Sequence, residues 1–227
     1  MIINNSKINF YMIFIALSQI ISIIYIIYHL KKDKINPRDI KYSLLLVIPF
    51  SLIGGILLTM MTSTKKALTL GFSSYGGLFG MLIAVLLYEK ISENKKIKDR
   101  YLITLPLIYS ISKIGCLLAG CCYGIPYKGP FYVIYPSKLN IKLFPVQLLE
   151  TILFLIIFII MNYLYNKKHK NIIEITFIIS ALTKFLTDYL RYSHINQVIS
   201  LNQIISLIII IITIIILIYK HKKDMIK

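Results

Sequence analysis

Apolar residues gather into seven runs, at approximately 9–30, 43–61, 68–89, 102–120, 145–165, 171–190 and 198–219, parted by polar or Gly- and Pro-containing joints. A helix that crosses the hydrocarbon core of a bilayer needs about 20 mostly apolar residues, and each run approaches that length. The pattern predicts an all-α integral membrane protein with about seven transmembrane helices. The joints are short, so residues 1–227 are expected to form a single polytopic membrane domain. The longest joint, 121–144, carries Gly124, Pro126, Gly129, Pro130 and Pro136, which suits an ordered loop rather than a helix. The first run exceeds the roughly 7–15 residues of a signal-peptide core and no small-residue cleavage site follows it, so it is read as a retained helix. The isoleucine-rich stretch 204–217 reads as lipid-facing helix.

Charge then orients the bundle. Joints 31–42, 90–101, 166–170 and 220–227 hold five, five, three and four Lys or Arg, whereas residues 1–8 and joints 62–67, 121–144 and 191–197 hold one, two, three and one. Cytoplasmic loops carry the excess of Lys and Arg. The alternation predicts an N-terminus outside, a cytoplasmic C-terminus and the 121–144 joint outside. A formal net charge of +17 on a soluble chain would suggest nucleic-acid binding. That reading needs the cations on one folded face, and here they are divided among loops, so no nucleic-acid partner is expected. The 57% hydrophobic content, against about 45–50% in soluble domains, excludes a water-soluble fold. Cys116, Cys121 and Cys122 sit together with no second Cys or His cluster to complete a four-ligand site. No metal, cofactor or disulfide framework is expected.

Five ionisable residues fall at membrane depth, where a charge is costly unless paired or facing water: Lys113, Glu150, Lys184, Asp188 and Arg191. On a continuous helix 184, 188 and 191 share one stripe. That stripe suits a polar cavity, or an internal Lys184–Asp188 pair with Arg191 snorkelling to the interface. Two glycine-bearing stretches, Ser73-Ser74-Tyr75-Gly76-Gly77-Leu78-Phe79-Gly80 and Gly115-Cys116-Leu117-Leu118-Ala119-Gly120-Cys121-Cys122-Tyr123-Gly124, read as close helix packing. Packing does not account for Tyr75 beside Ser74, or for Lys113 just before a Gly/Cys run. Hydroxyls and a cation brought together are what a phosphate headgroup requires.

In order along residues 43–210, these motifs resemble bacterial prolipoprotein diacylglyceryl transferase. The family's aromatic-His-Gly-Gly stretch is similar to Ser74-Tyr75-Gly76-Gly77, and its Gly-Arg-x-Gly-Asn signature to Ser112-Lys113-Ile114-Gly115-Cys116. Its Pro-Ser/Thr-Gln-Leu-Tyr-Glu resembles Pro145-Val146-Gln147-Leu148-Leu149-Glu150. Its Arg-Phe-x-x-Glu-x-x-Arg resembles Lys184-Phe185-Leu186-Thr187-Asp188-Tyr189-Leu190-Arg191, and its Gln-x-x-Ser resembles Gln203-Ile204-Ile205-Ser206.

The resemblance implies a seven-helix enzyme of the bacterial inner membrane. It would move diacylglycerol from phosphatidylglycerol, or another anionic phospholipid, to the cysteine thiol of a prolipoprotein or peptide acceptor. It implies catalytic roles for Tyr75, Lys113, Lys184, Asp188 and Arg191, and substrate contacts from Ser74, Gly76, Gly77, Gly115, Gln147, Glu150 and Gln203. The departures fall on the chemistry: Tyr75 stands in the His place, Lys113 and Lys184 in Arg places, Asp188 in the Glu place and Cys116 in the Asn place. Lys keeps the charge of Arg but not its bidentate fork. Tyrosine, with an ordinary pKa near 10, is a weak base at neutral pH, so Asp188 or Glu150 is expected to orient the cations or take the thiol proton. Two alternatives stand beside this reading: a divergent paralogue with another lipid or acceptor, using Cys121 or Cys122 as a transient nucleophile, and a non-catalytic lipid-binding membrane protein.

Overall fold

A computed structural model describes residues 1–3, 10–62, 72–92, 94–136 and 138–225. The described residues form seven α-helices: α1 (Phe10–Lys32), α2 (Pro37–Thr62), α3 (Ser74–Ser92), α4 (Lys95–Ala119), α5 (Val146–Asn166), α6 (Ile172–Asp188) and α7 (Leu201–Met225). A hairpin of β1 (Val133–Tyr135) and β2 (Leu139–Leu143) lies between α4 and α5. Among the described residues six helices, all but α6, are long and apolar enough to cross a membrane. With 17 residues, α6 is the shortest of the seven, and it carries Glu174, Lys184 and Asp188. Most of the expected 62–67 joint, residue 9 and the start of the 68–89 run lie outside the described residues. The protein is a mostly helical, multi-pass membrane protein. On α7, Ile204, Ile208, Ile211 and Ile215 are exposed at helical spacing, an apolar face suited to lipid and not to water.

The chain divides into two compact units, residues 20–105 and residues 1–19 with 106–227. In α4 the division falls at Pro106, where the proline ring removes an intrahelical hydrogen bond.

In unit 20–105, α2 and α3 approach as closely as backbone allows. A Cβ at Gly54 would lie 2.4 Å from the Gly76 carbonyl oxygen, one at Gly76 2.2 Å from the Gly54 oxygen, and one at Gly80 2.0 Å from the Phe50 oxygen. Small residues are what permit such contacts between membrane helices. A shallow apolar groove of about 360 Å³, lined by residues including Ile53, Leu57, Phe79 and Ile83, runs beside them. At one end of this unit the two five-cation joints meet. Arg100 Nε reaches Asp33 at 2.9 Å, Lys98 reaches Glu89 at 2.7 Å, and Tyr88 donates to Asp39 at 3.1 Å.

In the other unit the 121–144 joint is ordered, as expected, but it holds a strand pair that its glycines and prolines concealed. Val133 faces Leu143 and Tyr135 faces Leu139 in antiparallel register, and residues 1–3 add a short parallel edge through Ile3 N to Ile134 O at 3.0 Å. Val133, Tyr135 and Leu143 bury against Leu117. Tyr135 Oη donates to the Leu117 carbonyl at 2.9 Å. Burial pushes this phenol's pKa up, which keeps it a donor.

Candidate functional site

Glu150, fully buried near the start of α5, is the centre of the polar groups. Three cations reach it from three different segments. Lys113 of α4 contacts Oε2 at 2.9 Å and Lys184 of α6 contacts Oε1 at 3.3 Å. Arg191 spans both oxygens through Nη2, at 2.8 and 3.0 Å. Thr187 and Tyr109 each donate to Oε1 at 3.2 Å. Lys184 also donates to Tyr109 Oη. The Tyr109 ring centroid is 4.8 Å from Lys113 Nζ and 5.0 Å from Lys184 Nζ, within range of a cation–π attraction.

The expected continuous stripe through Lys184, Asp188 and Arg191 takes a different form. Helix α6 ends at Asp188, and Arg191 is extended, with φ −89 and ψ 142. The reason lies in the partners at the helix end. Asp188 accepts from the Ser200 hydroxyl and from Asn202 Nδ2 at 3.2 Å, while Leu190 and Arg191 are drawn into backbone pairing with residues 124–125. Arg191 therefore enters from a loop, with Nε 3.4 Å from Asp188 Oδ1. No Lys184–Asp188 ion pair forms among the described residues, because Lys184 turns to Glu150 instead.

Gln147 lies one helical turn before Glu150, fully buried, and donates to the Cys121 carbonyl at 2.8 Å. Its Oε1 is buried without a hydrogen-bond partner, and so is Arg191 Nε. Buried polar atoms are nearly always satisfied, so the unpartnered Gln147 Oε1, and Arg191 Nε with no contact closer than the 3.4 Å ion pair to Asp188, have capacity for a ligand's donor and acceptor.

Other expected site residues are held by local structure. Ser200 and Gln203 form a capping box at the start of α7: Gln203 N donates to Ser200 Oγ at 3.1 Å and Ser200 N to Gln203 Oε1 at 3.0 Å. Gln203 Oε1 also meets His194 Nε2 at 2.8 Å, so its amide holds the corner between α6 and α7. Gly115 admits α1, since a Cβ there would lie 2.7 Å from Phe14 Cβ. Tyr75, Gly76 and Gly77, with Ser74 at the first position of α3, belong to unit 20–105, where Gly76 is the α2 contact described above. The cluster around Glu150 belongs wholly to the other unit.

Sequence reasoning missed Tyr109 and Thr187, although both carry a readable signal. Tyr109 precedes Lys113 by four residues and Thr187 follows Lys184 by three, the spacings that share a helix face.

The charges sum to a surplus. Lys113, Lys184 and Arg191 face Glu150 and Asp188, leaving one cation uncompensated in a buried site. A bilayer-spanning protein with such a surplus is suited to an anionic lipid headgroup.

Comparison with known sequences gives the same direction. The profile of the prolipoprotein diacylglyceryl transferase family matches residues 1–219. A protein of Clostridium tetani (strain Massachusetts / E88) named phosphatidylglycerol–prolipoprotein diacylglyceryl transferase is 31% identical over 202 residues, spanning 82% of this chain and 81% of its own. A protein of Clostridium perfringens (strain 13 / Type A) named phosphatidylglycerol–prolipoprotein diacylglyceryl transferase 2 is 26% identical over 167 residues, spanning 65% of this chain and 64% of its own. Over nearly its whole length, this chain belongs to the prolipoprotein diacylglyceryl transferase family.

Proposed function

We propose that this protein transfers the diacylglyceryl group of phosphatidylglycerol to the cysteine thiol of a prolipoprotein at the outer face of the bacterial inner membrane. Family membership supports the reaction, and the observation that carries the mechanism is the convergence of Lys113, Lys184 and Arg191 on buried Glu150.

In the reaction the thiol sulfur attacks the glyceryl carbon bonded to the phosphate ester oxygen. A C–S bond forms, the C–O bond breaks and glycerol phosphate departs. The phosphate begins as a singly charged diester and gains a second charge as the bond breaks. Fixed cations bind that second charge more strongly than the first, and this difference lowers the barrier. Arg191 Nε, held by Asp188 only at 3.4 Å, donates to a phosphate oxygen, and the unpartnered Gln147 Oε1 accepts from a glycerol hydroxyl. Positive charge also favours the incoming thiolate, and the thiol proton passes to water, since a phosphate monoester whose second pKa is about 6 departs mainly as a dianion at neutral pH. Glu150 and Asp188, already engaged by several donors, hold the cations in place. Tyr75, with Ser74, Gly76 and Gly77 at the start of α3, is a separate candidate for substrate contact within unit 20–105. Residues 1–227 act as one domain in this scheme, and Gly115 and Gln203 contribute by fixing the helices that carry Lys113 and Asp188.

Seven crossings with an outside N-terminus are supported by the way joints pair. Joints 31–42 and 90–101 meet through Arg100 and Asp33, and Lys220 reaches Glu174 just after joint 166–170. Residues 1–3 and the 191–197 joint contact the 121–144 segment. Thus α6 leaves the cation-rich end and finishes at the cation-poor one. Its 17 residues span about 25 Å, slightly less than the roughly 30 Å hydrocarbon core, so Arg191 lies just beneath the outer surface. An impermeant reagent on intact cells is expected to leave a C-terminal tag untouched and to reach it after lysis. Labelling before lysis contradicts this orientation.

Transfer itself is tested with purified protein in phosphatidylglycerol vesicles and a lipobox peptide. The peptide is expected to gain one thioether-linked diacylglyceryl group by mass. An unmodified peptide, with protein that is folded and inserted, overturns the proposal.

A further inference from the structure

The three cysteines form a compact cluster that the transfer chemistry does not use. The Sγ atoms of Cys116, Cys121 and Cys122 all lie within 4.8 Å of one another, and none is in a disulfide. Backbone geometry brings them together. Helix α4 closes in a Schellman motif: Gly120 takes φ 60, its N–H bonds the Leu117 carbonyl at 3.2 Å, and the Cys121 N–H bonds the Cys116 carbonyl at 3.1 Å. This arrangement stacks the side chain two places past the helix on the one in its last turn, where a hydrophobic pair is usual. Here that pair is Cys121 on Cys116.

Cys122 then adopts φ 55, the left-handed region a non-glycine residue enters only at an energetic cost. The turn folds the third thiol back onto the first two. Neighbours fix the turn from both sides, with Lys138 Nζ on the Gly120 carbonyl at 2.7 Å and Gln147 Nε2 on the Cys121 carbonyl at 2.8 Å. Cys116 is buried, Cys121 half-buried and Cys122 exposed, so the cluster is rooted in the protein and open on one side.

We propose that Cys116, Cys121 and Cys122 form a three-thiolate binding site for Cu(I). Three sulfurs at this separation close around one soft ion after small side-chain rotations. Soft thiolates suit Cu(I), Zn(II) and iron–sulfur clusters, and the clusters take four cysteines. Structural Zn(II) sites take four protein ligands, and among the described residues no fourth Cys, His, Asp or Glu joins the group. On binding, three thiol protons leave to water and the Cu(I)–trithiolate carries a charge of −2. Lys113 and Arg191 lie within electrostatic reach of Cys122 and stabilise that charge. Because Cys122 is joined through Tyr123 to the backbone of Tyr192 at 3.0 Å, the metal also stiffens the segment that carries Arg191.

The test is anaerobic titration of the reduced, full-length protein in detergent with Cu(I) against a colorimetric Cu(I) chelator. One equivalent per chain is expected, with sulfur-to-copper charge-transfer absorption in the near ultraviolet. Cys122→Ser, an exposed substitution that spares packing, is expected to weaken binding by at least about tenfold, since even outer-sphere partners of a metal contribute tenfold to a hundredfold. The triple variant Cys116→Ser, Cys121→Ser, Cys122→Ser, checked for the same elution as wild type, is expected to take up none. No Cu(I) uptake by the wild-type protein, or uptake of equal affinity by Cys122→Ser, overturns the proposal.

Discussion

Glu150→Gln is expected to abolish transfer and to destabilise the protein by about 3–5 kcal/mol, the range for breaking a buried ion pair by removing one partner. The substitution keeps the shape and some hydrogen bonding but removes the only charge that Lys113 and Lys184 pair with among the described residues. Asp188 remains for Arg191, at 3.4 Å, so two buried ammonium groups are left without a counter-ion. Thermal unfolding in detergent reads the stability loss, and lipobox-peptide labelling reads transfer. Wild-type values in both would show that Glu150 does not organise the site. Lys184→Met makes an informative contrast. Glu150 still holds Lys113 and Arg191 in that variant, so its stability loss is expected to be smaller than for Glu150→Gln, while transfer still falls.

Arg191→Met is expected to lower the transfer rate by about 10²–10³-fold, the usual effect of removing one donor from a transition-state anion. Arg191 is the side chain that spans both Glu150 oxygens and also keeps a buried Nε without a hydrogen-bond acceptor. Arg191→Lys keeps the charge but loses the planar fork, so an intermediate rate is expected. The ordering wild type, Lys, Met in the rate at saturating lipid is the readout. Equal rates for Lys and Met variants would show that charge at this position is irrelevant to the chemical step.

Much of this architecture is visible in the sequence because lipid allows few solutions. Apolar runs of helix-spanning length, with cations in alternate joints, locate α1–α5 and α7 to within several residues. The end of α6 was harder to read. Tyr189 and Leu190 continue the apolar run, yet the helix stops at Asp188 because Ser200, Asn202 and Arg191 bind its carboxylate. The Val133–Leu143 hairpin was hidden by strands of three and five residues, too short for alternation to stand out.

At the site, sequence spacing identified the charged residues but favoured the wrong partner. Four residues apart on one helix, Lys184 and Asp188 are the obvious pair. The observed partner, Glu150, lies 34 residues away and wins because it offers two oxygens at a point where three segments meet. Glu150, expected at membrane depth, is fully buried. The cysteine cluster was legible only as proximity in sequence, since the left-handed turns at Gly120 and Cys122 that bring the thiols together follow from the helix cap.

The most direct test of the central claim, that buried cations drive transfer by neutralising the leaving phosphate of an anionic lipid, is to vary the donor headgroup. Purified protein and a lipobox peptide are placed in vesicles whose only glycerophospholipid is phosphatidylglycerol or phosphatidylethanolamine, and the thioether product and the released phosphate ester are both quantified. Equimolar thioether and glycerol phosphate are expected from phosphatidylglycerol, and at most a trace of either product type from phosphatidylethanolamine, whose ammonium group would enter a site that already holds surplus positive charge. Equal transfer from both lipids would contradict the claim.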